Sequence, residues 1–170
     1  VAIALLMPYR RFLRACEQTG YDLSILVRRF TVSFDQLAQR LTTLQRVGER
    51  GLPFYCAHFD RAGSMLRFTA GASGAVYPLE GVRRPQWVAY ATFERRGALL
   101  TQAVSVGEGE ASPRDWFNLA RTIEDDGVAF YSRRAIVLGL EARFSEQLIQ
   151  SQGISLGPLN ASGPEGRVSA

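Results

Sequence analysis

The sequence predicts an α+β fold in which N-terminal helices precede an antiparallel sheet of about six strands with a closing helix. Three observations predict it. Residues 1–50 carry apolar side chains at helical spacing between capping signals; from Leu52 the period becomes that of strands; and turn residues then cut the chain into successive hairpins. At 170 residues, 46% apolar and 21% charged, the chain can bury one substantial core, or one domain and a piece of another.

The helical part reads in order. Pro8 suits a first helical position, and Tyr9, Phe12, Leu13 and Cys16 follow at helical spacing up to Gly20. Asp22 can cap a second helix whose buried stripe is Leu23, Leu26, Val27 and Phe30. Ser33 and Gln36 form a capping box before Phe34, Leu37, Leu41 and Leu44. Gly48, Gly51 and Pro53 end the helical section. Three hairpins are then expected. The first joins 52–59 to 64–69 across Asp60 to Gly63; the second joins 86–94 to 98–106 across Arg95 to Gly97; the third joins 116–124 to 128–138 around Asp125, Asp126 and Gly127. Residues 71–85 and 107–113 read as loops, 141–151 as a helix, and the tail from Gly153 as disordered. Successive hairpins with a long loop between the first two fit a sensor-type domain in the manner of GAF or PAS domains, with one sheet face for helices and the other for a ligand or partner. The expected division is 1–50 helical, 51–152 a sensing domain and 153–170 a tail.

Composition excludes several classes of function. No run approaches the roughly 20 apolar residues of a membrane span. The opening VAIALLMP has no basic residue before it and reads as the middle of a helix, so the chain is expected to begin inside a larger protein. Cys16 and Cys56 lie far apart in apolar settings and are expected buried and reduced, as in a cytoplasm. With the lone His58 they cannot supply a standard Cys/His zinc set. HExxH, GxSxG, a P-loop and GxGxxG are all absent, so no catalytic constellation is visible. The net charge is +4, and all 20 basic residues are arginine. Arginine suits phosphate through its planar fork, but this charge selects neither nucleic acid nor a phosphorylated small molecule. The helix pair over residues 21–44, with Arg28, Arg29, Arg40 and Arg46 nearby, has the outline of a DNA-binding helix-turn-helix. Against that, its second helix puts Asp35 in the first turn, where DNA phosphates would lie, and helix pairs of this kind are widespread as plain packing units.

The run ALLMPYRRFLRACEQTGYDLSILVRRFTVSFDQLAQRLTTLQRVGERGLPF resembles the end of the IrrE/ImmA-type metallopeptidase-like domain, through LLMP and the RF.VS…RL..L helices. The narrower wording VSFDQLAQRLTTLQR.G.RG.PF, then DRAG and RF.A, is similar to the short-chain fatty acyl-CoA-responsive transcriptional regulators, as are LLTQ, ARTIE and RRAIVLGLEAR further on. The resemblance implies the C-terminal, effector-sensing part of a bacterial regulator, with the DNA-binding helix-turn-helix upstream and absent here. It implies CoA or a short-chain acyl-CoA as effector, no enzymatic activity of its own, a cytoplasmic homodimer, no membrane contact and DNA contact only through the upstream domain. Family members often carry a cysteine in a CPLW segment and a cluster of three near the C-terminus, suited to an iron–sulfur cluster. Here the first reads Tyr77-Pro78-Leu79-Glu80 and the tail holds no cysteine, so no iron–sulfur cluster is expected. Two alternatives stand beside this reading: a ligand-free dimerisation module, and a non-catalytic fragment of an IrrE-type metallopeptidase.

CoA needs arginines for its phosphates, an aromatic or apolar slot for adenine and a narrow apolar channel for the acyl end. The candidates cluster around the long loop: Arg67, Phe68, Tyr77, Arg83, Arg84 and Trp87, with Arg133 and Arg134 as a second group. Taken singly, an ordinary surface or salt-bridge role outweighs ligand contact for any of these arginines, and the aromatics, with Trp116 and Phe117, are individually more often core than ligand platform. Arg95 and Arg96 read as solvated surface, His58 as a satisfied strand histidine, and Phe54, Tyr55, Phe59 and Phe93 as packing. Loop 71–85 is the segment expected to order on binding.

Overall fold

The computed structural model describes residues 2–75, 87–106, 114–124 and 133–149. Four helices come first: α1 (Ala2–Leu6), α2 (Tyr9–Gln18), α3 (Leu23–Phe30) and α4 (Phe34–Thr42). The N-caps of α3 and α4 are those the sequence specifies, whereas α2 begins one residue after Pro8, which is its N-cap, and has Thr19 rather than Gly20 as its C-cap. The Asp22 carboxylate accepts from Ile25 N, and Ser33 and Gln36 complete a reciprocal capping box. Thr31, left-handed at φ 52°, ends α3 while Val32 N reaches back to Val27 O. A small hairpin that the sequence reading folded into the helical part follows, β1 (Gln45–Arg46) and β2 (Glu49–Arg50), turning at Gly48 with φ +82°. Tyr9 fastens it: its hydroxyl donates to Glu49 O and accepts from Arg46 N, while the Arg46 guanidinium lies 4.3 Å over its ring.

The main sheet contains β3 (Tyr55–Phe59), β4 (Met65–Thr69), β5 (Leu100–Val106), β6 (Arg114–Glu124) and β7 (Arg133–Glu141). All neighbours are antiparallel in the order β4-β3-β7-β6-β5. The first and third expected hairpins are therefore present as β3–β4 and β6–β7. The turn of the first uses Asp60, whose carboxylate accepts from Ser64 N, and Gly63 at φ +88°. The expected hairpin of 86–94 with 98–106 is not formed: only its second half is a strand, and the first is α5 (Trp87–Glu94). Val88, Ala89 and Thr92 are buried there while Tyr90 and Glu94 are exposed, a helical rather than an alternating pattern. The β-branched and aromatic residues of this stretch suggest a strand, but its small buried face fits a helix laid on the sheet. Among the described residues the sheet thus has five strands. The closing helix is a 3-10 turn, Ala142–Gln147, tied back where Ile149 N donates to Gly20 O. Much of loop 71–85, the loop 107–113, the tip of the third hairpin and the tail lie outside the described residues.

Pleating gives the sheet two buried faces. On the first, Cys56, Phe117, Leu119, Ile136, Leu138 and Leu140 meet Phe12, Leu26, Leu37 and Leu41 of the helices in one cluster. On the second, Ala57, Leu100, Ala120, Ala135 and Val137 meet Val88 and Ala89 of α5. A polar joint crosses the first face. Asp35, in the first turn of α4, accepts from Gln39 Nε2 at 2.8 Å and from Arg134 Nη2 at 3.3 Å, and His58 Nε2 lies 3.4 Å from its Oδ1. His58 is buried, and Asp35 and Arg134 are partly so, which places the carboxylate where a helix and two strands meet.

Two predictions follow from this packing. Burial pushes the thiols of Cys16 and Cys56 from 9.0 up to about 12, and burial likewise raises Tyr21 from 10.0 to about 12. The unfolded chain therefore loses these protons first as pH rises. Their contribution to stability is full below pH 9 and declines between about 9 and 12. Denaturant midpoints should fall over that window, and less steeply in a C16A/C56A variant. Asp35→Ala should cost about 1–3 kcal/mol in urea unfolding by leaving His58 and Arg134 without their carboxylate. A loss under about 0.5 kcal/mol would mark Asp35 as ordinary surface.

Candidate effector site

The sequence-expected site residues fall in different places. Arg67 and Phe68 are adjacent on β4, so the pleat sends them to opposite faces. Arg67 stands opposite His58 in register, on the helical face, and is exposed. Phe68 stands opposite Ala57 on the second face, its ring 5.8 Å from that of Tyr55. Trp87 is the first residue of α5, on that same side of the sheet. Arg133 pairs with its cross-strand partner Glu124 at 2.8 Å, and Arg134 belongs to the Asp35 joint. Tyr77, Arg83 and Arg84 lie outside the described residues. The described arginines and aromatics of the expected set therefore do not converge.

What the second face assembles is an aromatic and amide platform in which Phe68 is an expected site residue, Tyr55 reads from sequence as packing, and Asn118 and Gln102 are not singled out by the sequence at all. Tyr55, Gly139 and Asn118 stand side by side across β3, β7 and β6. The Tyr55 ring lies over Gly139 and its hydroxyl donates to Asn118 Oδ1 at 2.7 Å, a buried bond that spans the central strand. A Cβ at position 139 would collide with both partners, which explains glycine in the middle of β7. Trp116 meets the Tyr55 ring edge-on at 5.6 Å, so Phe68, Tyr55 and Trp116 form a continuous aromatic row. Gln102, opposite Asn118, accepts from Val88 N and ties the start of α5 to the platform.

Arg114, two residues before Trp116 on the same face of β6, supplies a guanidinium at the rim. It is exposed and donates weakly to Gly74 O at 3.4 Å, and no carboxylate among the described residues holds it. Alternation along β6 places Arg114, Trp116 and Asn118 on one face, the one signal in the sequence for this group. It becomes decisive only once β6 is known to sit two strands from Tyr55. The first face offers a different chemistry. The Asp35 joint is packed between α4 and the sheet, and its groups already engage one another. The two thiols, both buried and protonated at neutral pH, do not make a donor set for an iron–sulfur cluster. Among the described residues no three His, Cys, Asp or Glu side chains gather around a common metal position.

Two family descriptions match successive parts of the chain. The family described as the C-terminal domain of short-chain fatty acyl coenzyme A regulators matches residues 43–168, and the IrrE N-terminal-like domain matches residues 1–42. The chain is 33% identical over 156 residues to the HTH-type transcriptional regulator PrpR of Mycobacterium tuberculosis, covering 90% of this chain and 31% of that protein. It is 35% identical over 162 residues to RamB, another HTH-type regulator of that organism, covering 91% and 32%. With the propionyl-CoA carboxylase regulator of Cereibacter sphaeroides the identity is 34% over 156 residues, covering 90% and 33%. A solved Mycobacterium tuberculosis transcriptional regulator superposes with a TM-score of 0.80 at 33% identity, covering 91% of this chain and 46% of that one. The chain thus spans about a third of the length of these curated relatives. The helices of an IrrE-like end, the antiparallel sheet behind them and these matches establish that the chain belongs to the short-chain fatty acyl-CoA regulator family of transcriptional regulators.

Proposed function

We propose that this chain is the effector-sensing part of a cytoplasmic bacterial transcription regulator and binds CoA or a short-chain acyl-CoA. In this reading residues 1–50 close an IrrE-like domain, 51–152 form the sensor, and the protein is a homodimer without enzymatic activity. DNA sequence is read by a helix-turn-helix domain upstream. The observation that carries the reading is the second face of the sheet, where an aromatic row and two amides stand beside a rim guanidinium. These are the kinds of group a CoA ester needs, aromatic for adenine, amide for the polar pantetheine arm and arginine for phosphate. Tyr55, Trp116 and Asn118 are buried in the free chain, so a ligand would approach from exposed Arg114 and half-buried Phe68. Phe68 and the start of α5 at Trp87 border the row, and Arg83 and Arg84 are further candidates for phosphate.

Signalling requires the effector to prefer one conformation of the regulator. A hundredfold preference supplies about 2.7 kcal/mol, within the usual range of allosteric coupling. β3 and β7 are natural carriers, since each presents Tyr55 or Gly139 to the second face and His58 or Arg134 to the joint with α4. A thermal-shift and calorimetry panel of CoA, acetyl-CoA, propionyl-CoA and longer acyl-CoAs tests the reading. Selective stabilisation by the short esters is expected, reaching about 2.7 kcal/mol at a hundred times Kd. Arg114→Gln should weaken that binding about tenfold, the loss of one charge-assisted hydrogen bond, without lowering the melting temperature of the free protein. Arg95→Gln should change neither. No response to any CoA compound from the folded chain would leave a ligand-free dimerisation module as the better account.

A further inference from the structure

We propose that the exposed face of α2, with the end of α3, is a docking surface for the phosphate backbone of duplex DNA, separate from the effector site. The charge distribution points to it. Residues 1–50 hold eight arginines against four carboxylates, whereas residues 51–170 hold twelve of each, so the whole net charge of +4 resides in the helical part. Within that part, Arg10, Arg11, Arg14 and Gln18 of α2 line a groove of about 390 Å³ with Arg29 of α3.

Other arginines of the same region have structural duties. Arg46 stacks on Tyr9, and Arg40 donates to Met7 O and Thr43. Among the described residues, only Arg10 of the groove has an ion-pair partner, Glu49 at 2.9 Å. Among the described residues Arg11, Arg14, Arg28 and Arg29 have no carboxylate partner, and Glu17 is the one acid on the exposed side of α2. Helix electrostatics cannot account for the placement. Cations at the end of α3 complement its dipole, but Arg10 and Arg11 stand in the first turn of α2, where the positive end of the dipole disfavours them; that turn holds no acid, and Glu49 of β2 offsets Arg10 alone. An arrangement that works against its own helix is accounted for by an external anion.

The geometry suits a strand of DNA. Arg10 to Gln18 runs about 12 Å along the helix at about 1.5 Å per residue, and strand phosphates recur about every 3.4 Å of duplex axis, so about three phosphates face the row. Arginine forks and a glutamine amide bind phosphate oxygens without reading bases, so the contact is independent of sequence and would position a regulator whose specificity comes from elsewhere.

The test is fluorescence anisotropy of a labelled 24-base-pair duplex of arbitrary sequence, titrated with this chain between 50 and 200 mM salt. Binding is expected, with log K falling against log salt at a slope of about −3. R11Q/R14Q should reduce the slope by about 2 and weaken binding roughly tenfold at 50 mM salt. R95Q/R96Q, at the exposed turn after α5, should leave both unchanged. No binding at 50 mM salt, or equal binding by R11Q/R14Q, overturns the proposal. So does tighter binding to anionic phospholipid vesicles or to polyglutamate of matched charge than to the duplex. Stabilisation by acyl-CoA should survive in R11Q/R14Q. Its absence in every variant would refute the effector reading and leave the DNA result standing.

Discussion

The structure depends on the burial of β3 and β7 on both faces. Every residue of β3 is buried, as is the run Ala135–Leu140 of β7, so neither strand can be satisfied by a single covering layer. Helices α1–α4 cover one side with a large aliphatic and aromatic cluster, and α5 covers part of the other. A two-layer protein would leave half of these side chains in water. The three-layer arrangement removes them from it at roughly 25 cal/mol for each Å² of apolar surface. It also gives the helical segment and the sheet a common core, although two separate family descriptions divide the chain between them.

The same constraint explains the placement of polar groups. Asn118 and His58 are polar side chains inside otherwise apolar layers, and each stands against a specific partner. Tyr55 reaches Asn118 only because position 139 has no side chain, which links the two strands flanking β7 through a ring instead of an aliphatic contact. Asp35 performs the corresponding task on the other face, drawing β3 and β7 toward α4. A change in the tilt or spacing of β3 against β7 would alter both joints together. That is the physical route by which an effector on one face could be felt by helices on the other.

Much of this was legible in the sequence, for identifiable reasons. The caps at Asp22 and Ser33, the turn at Asp60 and the strands on either side of it are encoded within a few residues, and local chemistry decides them. The stretch 87–94 shows where local chemistry misleads. Trp87, Val88, Tyr90, Thr92 and Phe93 favour strands, and only the small patch on the sheet that receives Val88, Ala89 and Thr92 selects a helix. The candidate site was less legible. Neighbours in sequence such as Arg67 and Phe68 are separated by the pleat, whereas Tyr55, Asn118 and Gly139 meet through a strand order in which β7 lies between β3 and β6. Strand order depends on pairing across long sequence separations, and no residue announces it.

The central claim is that the second face of the sheet binds the effector, and hydrogen–deuterium exchange with and without saturating propionyl-CoA tests it most directly. The account predicts slowed exchange in β4, in the first half of β6 around Trp116 and Asn118, and at the start of α5, with a smaller change at α4 transmitted through Asp35. Protection confined to the helical segment, or identical exchange in the presence of a ligand that binds by calorimetry, would contradict it.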